Sequence, residues 1–374
     1  MGVMSISVDI PARYVSFLML FVVFVCAPFS VDADEKTDRN TDPEVTVLIY
    51  HRFGDDRYPT TNVPTDRFKE QMEYLRKNNY QVISLQDLVF FIKNQQPLPD
   101  RAVVITIDDG YKSVYDVAWP ILESYGYPFT VFLYVKATDK NYQDILSWKD
   151  VQEMKAAGVD FEDHSYSHHR FGDWPKNMDE SQYRAWIRDD LLKGSRILSE
   201  QLGEKPRFFA IPYGEYNSIV LEEALSIGYE AIMSQDPGSV SLDSDLMLIP
   251  REPILGDEWS SIQHFEKILH RVDMPLKDME PPPTALSYPL VSRFGGTLKD
   301  VNQYVPGTIG IYVSGLGWKP AIVEGNSVYI NNDEPLVRHV SRVTVSGRLK
   351  KNGRLAMRTW MLIQRPDLAT KRGD

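Results

Sequence analysis

The chain has 374 residues, 43% of them hydrophobic, and a formal net charge of −11 at pH 7. This size and apolar content are those of a globular protein with two domains, or with one domain and an appendage. The negative charge argues against nucleic acid as a partner.

The N-terminal residues contain a targeting signal. An uncharged apolar stretch over residues 14–31 follows Arg13, and Val31 and Ala33 place small side chains at the positions that a signal peptidase recognises. We therefore expect residues 1–33 to be a signal peptide. The mature protein would then be exported to the periplasm or the extracellular space.

Two alternatives to a cleaved signal peptide stay open. The apolar stretch approaches the length that spans a bilayer, so an uncleaved anchor would hold the protein on the membrane, facing outside. Lipidation at Cys26 is the other alternative, but Val25 stands where a small residue is expected. Cys26 is the only cysteine, so a cleaved chain would have no disulfide. Residues 34–44 are polar and are expected to form a short tether.

From Val45 to Met233, strand and helix patterns alternate. About eight such units in roughly 225 residues predict a parallel sheet that closes into a distorted barrel of the α/β class. The expected strands are Val45–His51, Gln81–Ile83, Ala102–Asp109, Pro128–Val135, Arg207–Ile211 and Tyr229–Met233. The expected helices are Thr65–Asn78, Leu85–Lys93, Ser113–Tyr125, one that begins at Ser147, Tyr183–Leu202 and Ser218–Ile227.

The composition changes after the barrel. A proline-rich segment predicts a stiff linker over residues 274–285, between a barrel over 45–273 and a β-domain over 286–374. Short strand patterns separated by glycine turns make this last region a small, sandwich-like all-β domain. The expected strands are Thr308–Ser314, Ala321–Val323, Ser327–Ile330, Ser341–Gly347 and Leu355–Ile363.

Four aromatic side chains of the β-domain allow two interpretations. Tyr312, Trp318, Tyr329 and Trp360 could form a platform on which sugar rings stack. Aromatic residues in small β-domains also serve as core or edge packing. Both interpretations stay open at this point.

Two adjacent carboxylates mark the end of the most apolar predicted strand. Asp108 and Asp109 follow the run Ala102–Ile107, and Gly110 supplies a sharp exit from the strand. Such a run indicates a strand buried on both faces, and α/β folds place their chemistry at the carboxyl ends of these strands. An N-terminal helix cap is the alternative, but a cap needs only one Asp.

Two imidazoles follow a further short predicted strand, which begins at Asp160. His164 and His168 are four positions apart, about one helical turn, so they can converge on one point. Neutral imidazoles together with a carboxylate are the ligands that zinc and similar divalent ions bind. His169 could replace His168, although its spacing fits a single turn less well.

These motifs resemble those of the polysaccharide deacetylase (NodB homology, carbohydrate esterase) family. Thr106–Gly110 is similar to its Thr-Phe-Asp-Asp-Gly motif, and His164–His168 to its His-Ser/Thr-x-x-His motif. Phe209–Gly214 is similar to the Arg-x-Pro-Tyr element, with Ala210 where Arg is usual. Leu48–Arg52 resembles the Tyr-His segment of the branch that deacetylates poly-β-1,6-N-acetylglucosamine.

The resemblance covers about residues 45–255 and implies a (β/α)7-type barrel. It implies a hydrolase that removes N-acetyl groups from a polysaccharide containing N-acetylglucosamine, which would be its partner. The implied cofactor is a divalent metal, most often zinc, and we assign Asp109, His164 and His168 as its ligands.

The other roles follow from the same resemblance and from the chemistry of amide hydrolysis. Asp108 would be the general base, the backbone N–H of Tyr213 an oxyanion donor and His51 the general acid. Alternatively, His51 caps a buried strand end. Arg251 could replace the missing motif arginine beside Asp108, or could form a surface salt bridge with Glu252.

Two other classes of function remain compatible with the sequence. A metal site of this composition could hydrolyse another ester or a phosphate, although phosphate sites usually recruit basic clusters, which are not evident near these motifs. The missing arginine also permits a carbohydrate-binding protein with a degenerate site. The intact carboxylates and imidazoles favour an enzyme.

Overall fold

The computed structural model describes residues 44–365. The predicted signal peptide over 1–33 and the predicted tether up to residue 43 lie outside the described residues. These described residues form one compact unit. Among the described helices, none combines the length and the hydrophobicity needed to cross a membrane.

A sheet of eight parallel strands forms the centre of the larger region. Its strands follow the order β8-β1-β3-β4-β5-β6-β7, and β2 lies beside β3. The strands are β1 (Val45–Tyr50), β2 (Gln81–Val82), β3 (Ala102–Asp109), β4 (Thr130–Leu133), β5 (Asp160–Asp163), β6 (Phe208–Ala210), β7 (Ala231–Met233) and β8 (Glu252–Pro253).

The sheet closes through the segment that leads into β8. The backbone N–H of Ile249 donates to the carbonyl of Ile232, and its carbonyl accepts from Ser234, both at 2.9 Å. Three residues later β8 pairs with β1, in the register Leu48 to Glu252. This segment therefore connects β7 to β1. The predicted distorted (β/α)7-type barrel is confirmed.

The helices that alternate with these strands bury one face against the sheet. Phe68, Met72 and Leu75 of the first helix are fully buried, as the spacing of its apolar residues predicts. Ser147 caps its helix in a capping box with Asp150. The helices are α1 (Thr65–Lys77), α2 (Leu85–Lys93), α3 (Trp119–Tyr125, after a π-helical turn at Val114–Ala118), α4 (Val135–Asp139), α5 (Trp148–Ala156), α6 (Glu180–Leu202), α7 (Ser218–Ile227) and α8 (Ile262–Leu269).

The C-terminal region forms two further sheets, which confirms an all-β module there. One has the order β9-β18-β17-β13-β14 with β11 beside β18, and the other has the order β10-β12-β16-β15. Their strands are β9 (Val272–Asp273), β10 (Leu276–Glu280), β11 (Ala285–Leu286), β12 (Arg293–Leu298), β13 (Gly310–Val313), β14 (Gly317–Pro320), β15 (Ile322–Glu324), β16 (Ser327–Asn331), β17 (Val340–Arg348) and β18 (Leu355–Gln364).

The predicted linker over residues 274–285 is wrong. Its first half is β10, which pairs with β12 in the register Leu276 to Leu298, and its end pairs with β18 through Ala285. The three consecutive prolines at residues 281–283 occupy the short turn between these strands. That turn is fixed, because the indole N–H of Trp360 donates to the carbonyl of Pro281 at 2.9 Å.

The two regions share a packed boundary. Trp360 and Leu362 of β18 face the core of the β-sheets, whereas Met361 and Ile363 pack into a cluster of barrel residues. This alternation follows from the two-residue period of a strand. The last strand therefore serves both cores, and residue 274 does not mark a break in packing.

The interpretation of the four aromatic side chains as one stacking platform is wrong. Trp360 is fully buried, and Tyr329 is 9% exposed, with the Arg293 guanidinium 3.6 Å from its ring centre. Tyr312 and Trp318 are exposed and lie directly opposite each other on β13 and β14. Of these four aromatic residues, only Tyr312 and Trp318 are exposed.

A half-buried carboxylate, that of Glu44 directly before β1, makes stability depend on pH. The backbone N–H of Asp273 donates to Glu44 at 2.6 Å. Burial raises the pKa of Glu44 from 4.5 to about 8, and the nearby charge of Asp273 adds to this effect. Between these pH values the folded chain binds a proton that the unfolded chain has lost, so stability falls as the pH rises.

We predict that Glu44→Gln removes part of this loss, because the amide is neutral at every pH. The free energy of unfolding, measured in urea at about pH 5 and pH 8, should fall less for Glu44→Gln than for the wild type. Glu200→Gln is the control, because Glu200 lies in an exposed ion pair with Arg196. An unchanged pH dependence in Glu44→Gln would contradict the prediction.

Candidate active site

The two adjacent carboxylates lie at the carboxyl end of β3, and the backbone there directs both to one side. Asp109 and Gly110 have φ angles of 71° and 72°, so two successive left-handed residues end the strand. In a regular strand, neighbouring side chains point to opposite faces. Here Asp108 Oδ2 and Asp109 Oδ1 lie 3.8 Å and 3.3 Å from the Nε2 atom of His164.

Asp108 forms a buried ion pair with Arg251. The two guanidinium nitrogens Nη1 and Nη2 donate to Oδ1 and Oδ2 at 2.7 Å and 2.8 Å, and both side chains are fully buried. Nε of Arg251 donates to the carbonyl of Ser234, and Nη1 also donates to Thr106 Oγ1. The structure thus places Arg251 beside Asp108, where the sequence suggested a substitute for the missing arginine. It does not pair Arg251 with Glu252.

The ion pair determines the charge of Asp108. Burial alone would raise the pKa of this carboxyl group. The charge of Arg251, assisted by His164, outweighs burial and holds the pKa of Asp108 below its usual value. Asp108 is therefore ionised at neutral pH and has a fixed orientation.

The two imidazoles converge, but not through the helical turn that their spacing suggested. Residues 164–168 form a loop in which Ser165 and His168 have φ angles of 68° and 55°. The N–H of His168 donates to Ser165 Oγ at 2.9 Å, which closes the loop. His164 Nδ1 lies 2.8 Å from the carbonyl of Ala210, so a proton on Nδ1 donates there and leaves Nε2 free to bind a metal.

Asp109, His164 and His168 form a compact cluster of metal-binding groups. Their three candidate ligand atoms lie within 4.8 Å of one another. Asp109 Oδ1 is 2.9 Å from His168 Nε2, and the two Nε2 atoms are 3.2 Å apart. Burial would raise the pKa of Asp109, but the imidazoles of His164 and His168 beside it hold this pKa well below its usual value. One carboxylate and two imidazoles suit zinc and leave coordination positions open.

His51 faces the same site from the end of β1. Its side chain is buried, and its Nδ1 atom has no hydrogen-bond partner among residues 44–365. Burial lowers the pKa of His51, and the carboxylates of Asp109 and Asp108 offset this only in part. The imidazole is therefore neutral at pH 7 in the metal-free chain.

Tyr213 lies at the opening of the site. It has a φ angle of 58° in the tight turn Pro212–Gly214, and its side chain is 40% exposed. Its ring is 4.6 Å from the ring of His168, and the guanidinium of Arg170 lies 3.8 Å from its ring centre. His169, by contrast, is exposed and packs against a tryptophan away from this cluster.

Sequence reasoning missed several residues that shape the site. The ring of Tyr134 lies 5.1 Å from that of His168, and the guanidinium of Arg52 lies 3.4 Å from the ring centre of Tyr111. Tyr134 directly follows β4, so the strand-end rule that selected the carboxylates could also have selected it. Arg52 directly follows His51, so the same rule could have selected it. Arg170 lies in a loop and contacts Tyr213 only through the conformation of that loop, which no local pattern indicates.

We predict that Arg251→Ala lowers the free energy of unfolding by about 3–5 kcal/mol, because it leaves a buried carboxylate unpaired. Adding Asp108→Asn should restore part of this loss, since the amide is neutral. Urea denaturation measures both changes. Arg196→Ala is the control and should cost no more than about 1 kcal/mol, because its ion pair with Glu200 is exposed. Equal losses for Arg251→Ala and Arg196→Ala would contradict the prediction.

Comparison with protein families and curated proteins identifies the larger region. Residues 95–232 match the family model described as polysaccharide deacetylase. A poly-β-1,6-N-acetyl-D-glucosamine N-deacetylase of Escherichia coli K12 is 28% identical over 225 residues, which cover 51% of this chain and 33% of that protein. The enzyme of the same name from Staphylococcus epidermidis is 25% identical over 274 residues, which cover 67% of this chain and 94% of that protein.

Solved structures support the same fold. The Streptococcus pyogenes deacetylase PplD in complex with acetate has a TM-score of 0.54 at 22% identity, covering 61% of this chain and 99% of that one. IcaB from Ammonifex degensii has a TM-score of 0.51 at 24% identity, covering 60% and 97%. Asp108, Asp109, His164 and His168 all lie inside the region that matches the family model. We conclude that residues 95–232 of this chain contain a polysaccharide deacetylase domain.

Proposed function

We propose that this protein is a metal-dependent hydrolase that removes N-acetyl groups from a polysaccharide containing N-acetylglucosamine. The observation that carries the proposal is the cluster of Asp109, His164 and His168 beside the ionised pair of Asp108 and Arg251. The relatives named as poly-β-1,6-N-acetyl-D-glucosamine N-deacetylases support this class of substrate. The match covers only 33% of the Escherichia coli protein. The proposal therefore does not extend to activities of the rest of that protein.

The proposed cofactor is one divalent ion, most simply zinc, held by Asp109, His164 and His168. The donor set fits such an ion, because the three ligand atoms already converge and the Nδ1 atom of His164 is engaged with Ala210. When bound, the metal would lower the pKa of a water molecule and polarise the acetyl carbonyl.

Asp108 is the proposed general base. It is ionised, and each of its oxygens accepts one hydrogen bond from Arg251, which leaves a further lone pair on each oxygen. Its Oδ2 atom lies only 3.8 Å from the Nε2 atom of His164, so it faces the space next to the ligands. Asp108 can therefore take a proton from a water molecule positioned there.

The remaining two roles concern the oxygen and the nitrogen of the scissile amide. The turn at Tyr213 presents backbone at the opening of the site, and its N–H is the proposed donor to the developing oxyanion. His51, at the carboxyl end of β1, is the proposed donor of a proton to the departing amine. The product sugar would then carry a free amine.

Export to the periplasm or the extracellular space is part of the proposal. It rests on the apolar stretch at residues 14–31 and on the small residues that follow it. A polysaccharide substrate on the outer side of the membrane would be consistent with this destination.

The test of the proposed function is acetate release from β-1,6- and β-1,4-linked N-acetylglucosamine oligomers. We predict release from at least one series, and loss of both release and bound metal in the His164→Ala, His168→Ala double variant. His169→Ala is the matched control, because this imidazole lies outside the cluster. Zinc-loaded protein that releases acetate from neither series, or a double variant that keeps stoichiometric metal, would refute the proposal.

The two neighbouring carboxylates should differ in what they do. We predict that Asp108→Asn retains metal but loses most turnover, because an amide cannot accept a proton from water. Asp109→Asn should weaken metal binding itself, since it removes a charged ligand. Metal content after dialysis and turnover at saturating metal separate the two effects. Equal depletion of metal in the two variants would contradict this assignment.

For His51→Ala we predict nearly unchanged metal content and a turnover about 10²- to 10⁴-fold lower, as expected when an acid–base group is lost. A general acid acts only when protonated, so kcat/KM should fall as the pH rises through the pKa of His51. Because burial lowers that pKa, this limb should lie below pH 6.5. The limb should be absent in His51→Ala. Near-normal turnover of His51→Ala with an unchanged pH profile would contradict the role of His51 as general acid.

A further inference from the structure

One face of α6 lies directly behind the loop that joins the two imidazoles. Asp190 is half-buried on this face, and its Oδ1 atom accepts hydrogen bonds from the N–H groups of Tyr166 and Ser167 at 3.1 Å and 3.2 Å. These two residues lie between His164 and His168 in the chain. A single carboxylate oxygen therefore holds the middle of the loop.

Gly194 lies one turn further along α6 on the same face. A Cβ atom at this position would lie 3.0 Å from Tyr166 N, 3.1 Å from Asp163 Oδ1 and 3.2 Å from Ser165 C. These distances are tighter than ordinary van der Waals contacts. The absence of a side chain therefore allows the helix to approach the loop backbone closely.

Asp163 completes the support from the strand side. It is fully buried, its Oδ1 atom accepts from the N–H of Ser165 at 2.8 Å, and its Oδ2 atom accepts from the hydroxyl of Tyr229 at 2.6 Å. Three consecutive N–H groups, those of residues 165–167, are thus bound by two carboxylates. This matters because the loop contains Ser165 and His168 in the left-handed region, which L-residues adopt only when their surroundings impose it.

We propose that Asp190 and Gly194 are positioning residues of the metal site, which hold the loop in the conformation that brings the two imidazoles together. Neither residue belongs to the cluster of ligands, and both lie on a helix outside the motifs that identified the site. The inference rests on the proposed metal site. It predicts that metal affinity depends on α6.

The first test is zinc affinity, measured on the purified chain by competition with a chromophoric chelator. Asp190→Ala should weaken zinc binding about 10- to 100-fold, the usual effect of losing a group that orients a ligand. Asp190→Asn should stay within about 3-fold of the wild type, because an amide oxygen still accepts both N–H groups. Asp189→Ala is the matched control, since Asp189 is the exposed neighbour on the same helix.

The second test separates loop position from helix stability. Gly194→Ala should raise the helix propensity of α6, yet weaken zinc binding about 10-fold, because its Cβ displaces the loop. Leu192→Ala, at a residue that is 48% exposed on α6, should leave zinc binding unchanged. The visible spectrum of bound Co²⁺ should change in Gly194→Ala and Asp190→Ala but not in the controls, since it reports ligand geometry.

The outcomes are distinct. Zinc affinity equal to the wild type in both folded variants, Asp190→Ala and Gly194→Ala, would overturn the inference. So would an equal loss in Asp190→Asn and Asp190→Ala, since charge and not loop position would then be responsible. If Asp190→Ala does not fold, Gly194→Ala decides, because zinc affinity equal to the wild type in this variant alone would then overturn the inference. A wild type that binds zinc but releases no acetate would refute the proposed deacetylation and leave this inference standing.

Discussion

The buried ion pair between Asp108 and Arg251 connects the fold and the site. Arg251 belongs to the segment that closes the barrel, since Ile249 bonds to β7 and β8 pairs with β1. A buried carboxylate without a partner would be strongly destabilising. Barrel closure therefore supplies the charge that keeps Asp108 ionised, and one interaction serves both the closed sheet and the proposed chemistry.

Local patterns predicted the parts of the chain whose structure depends on near neighbours. The bounds of α2 and α7 agree with the sequence prediction, and β3 ends at the expected carboxylates. The site was predictable because parallel strands bring their carboxyl ends to one edge, which places Asp108 near His164 without further information. Arg251 was predicted because the motif has Ala210 in place of its usual arginine, so the general base Asp108 needed another cationic partner.

The remaining features depend on contacts between distant residues. Strand β12 contains Gly295 and Gly296, which resemble turn residues in sequence. A Cβ on Gly295 would lie 2.1 Å from Val328 O, and one on Gly296 would lie 2.8 Å from Lys277 O, so both serve close strand packing. The conformation of the loop of residues 164–168 was not predictable, because the spacing of the two imidazoles does not reveal left-handed residues. The predicted linker failed because its strand partners lie elsewhere in the chain.

Strand β18, whose two faces pack into two different cores, affects the order in which the protein folds. Met361 and Ile363 complete a core formed by residues between 171 and 248, more than 100 positions earlier. Such distant contacts are costly in loop entropy and slow to form. This part of the barrel core therefore stays incomplete until residues 361–363 have been synthesised. A chain that ends before residue 361 would leave this cluster uncovered.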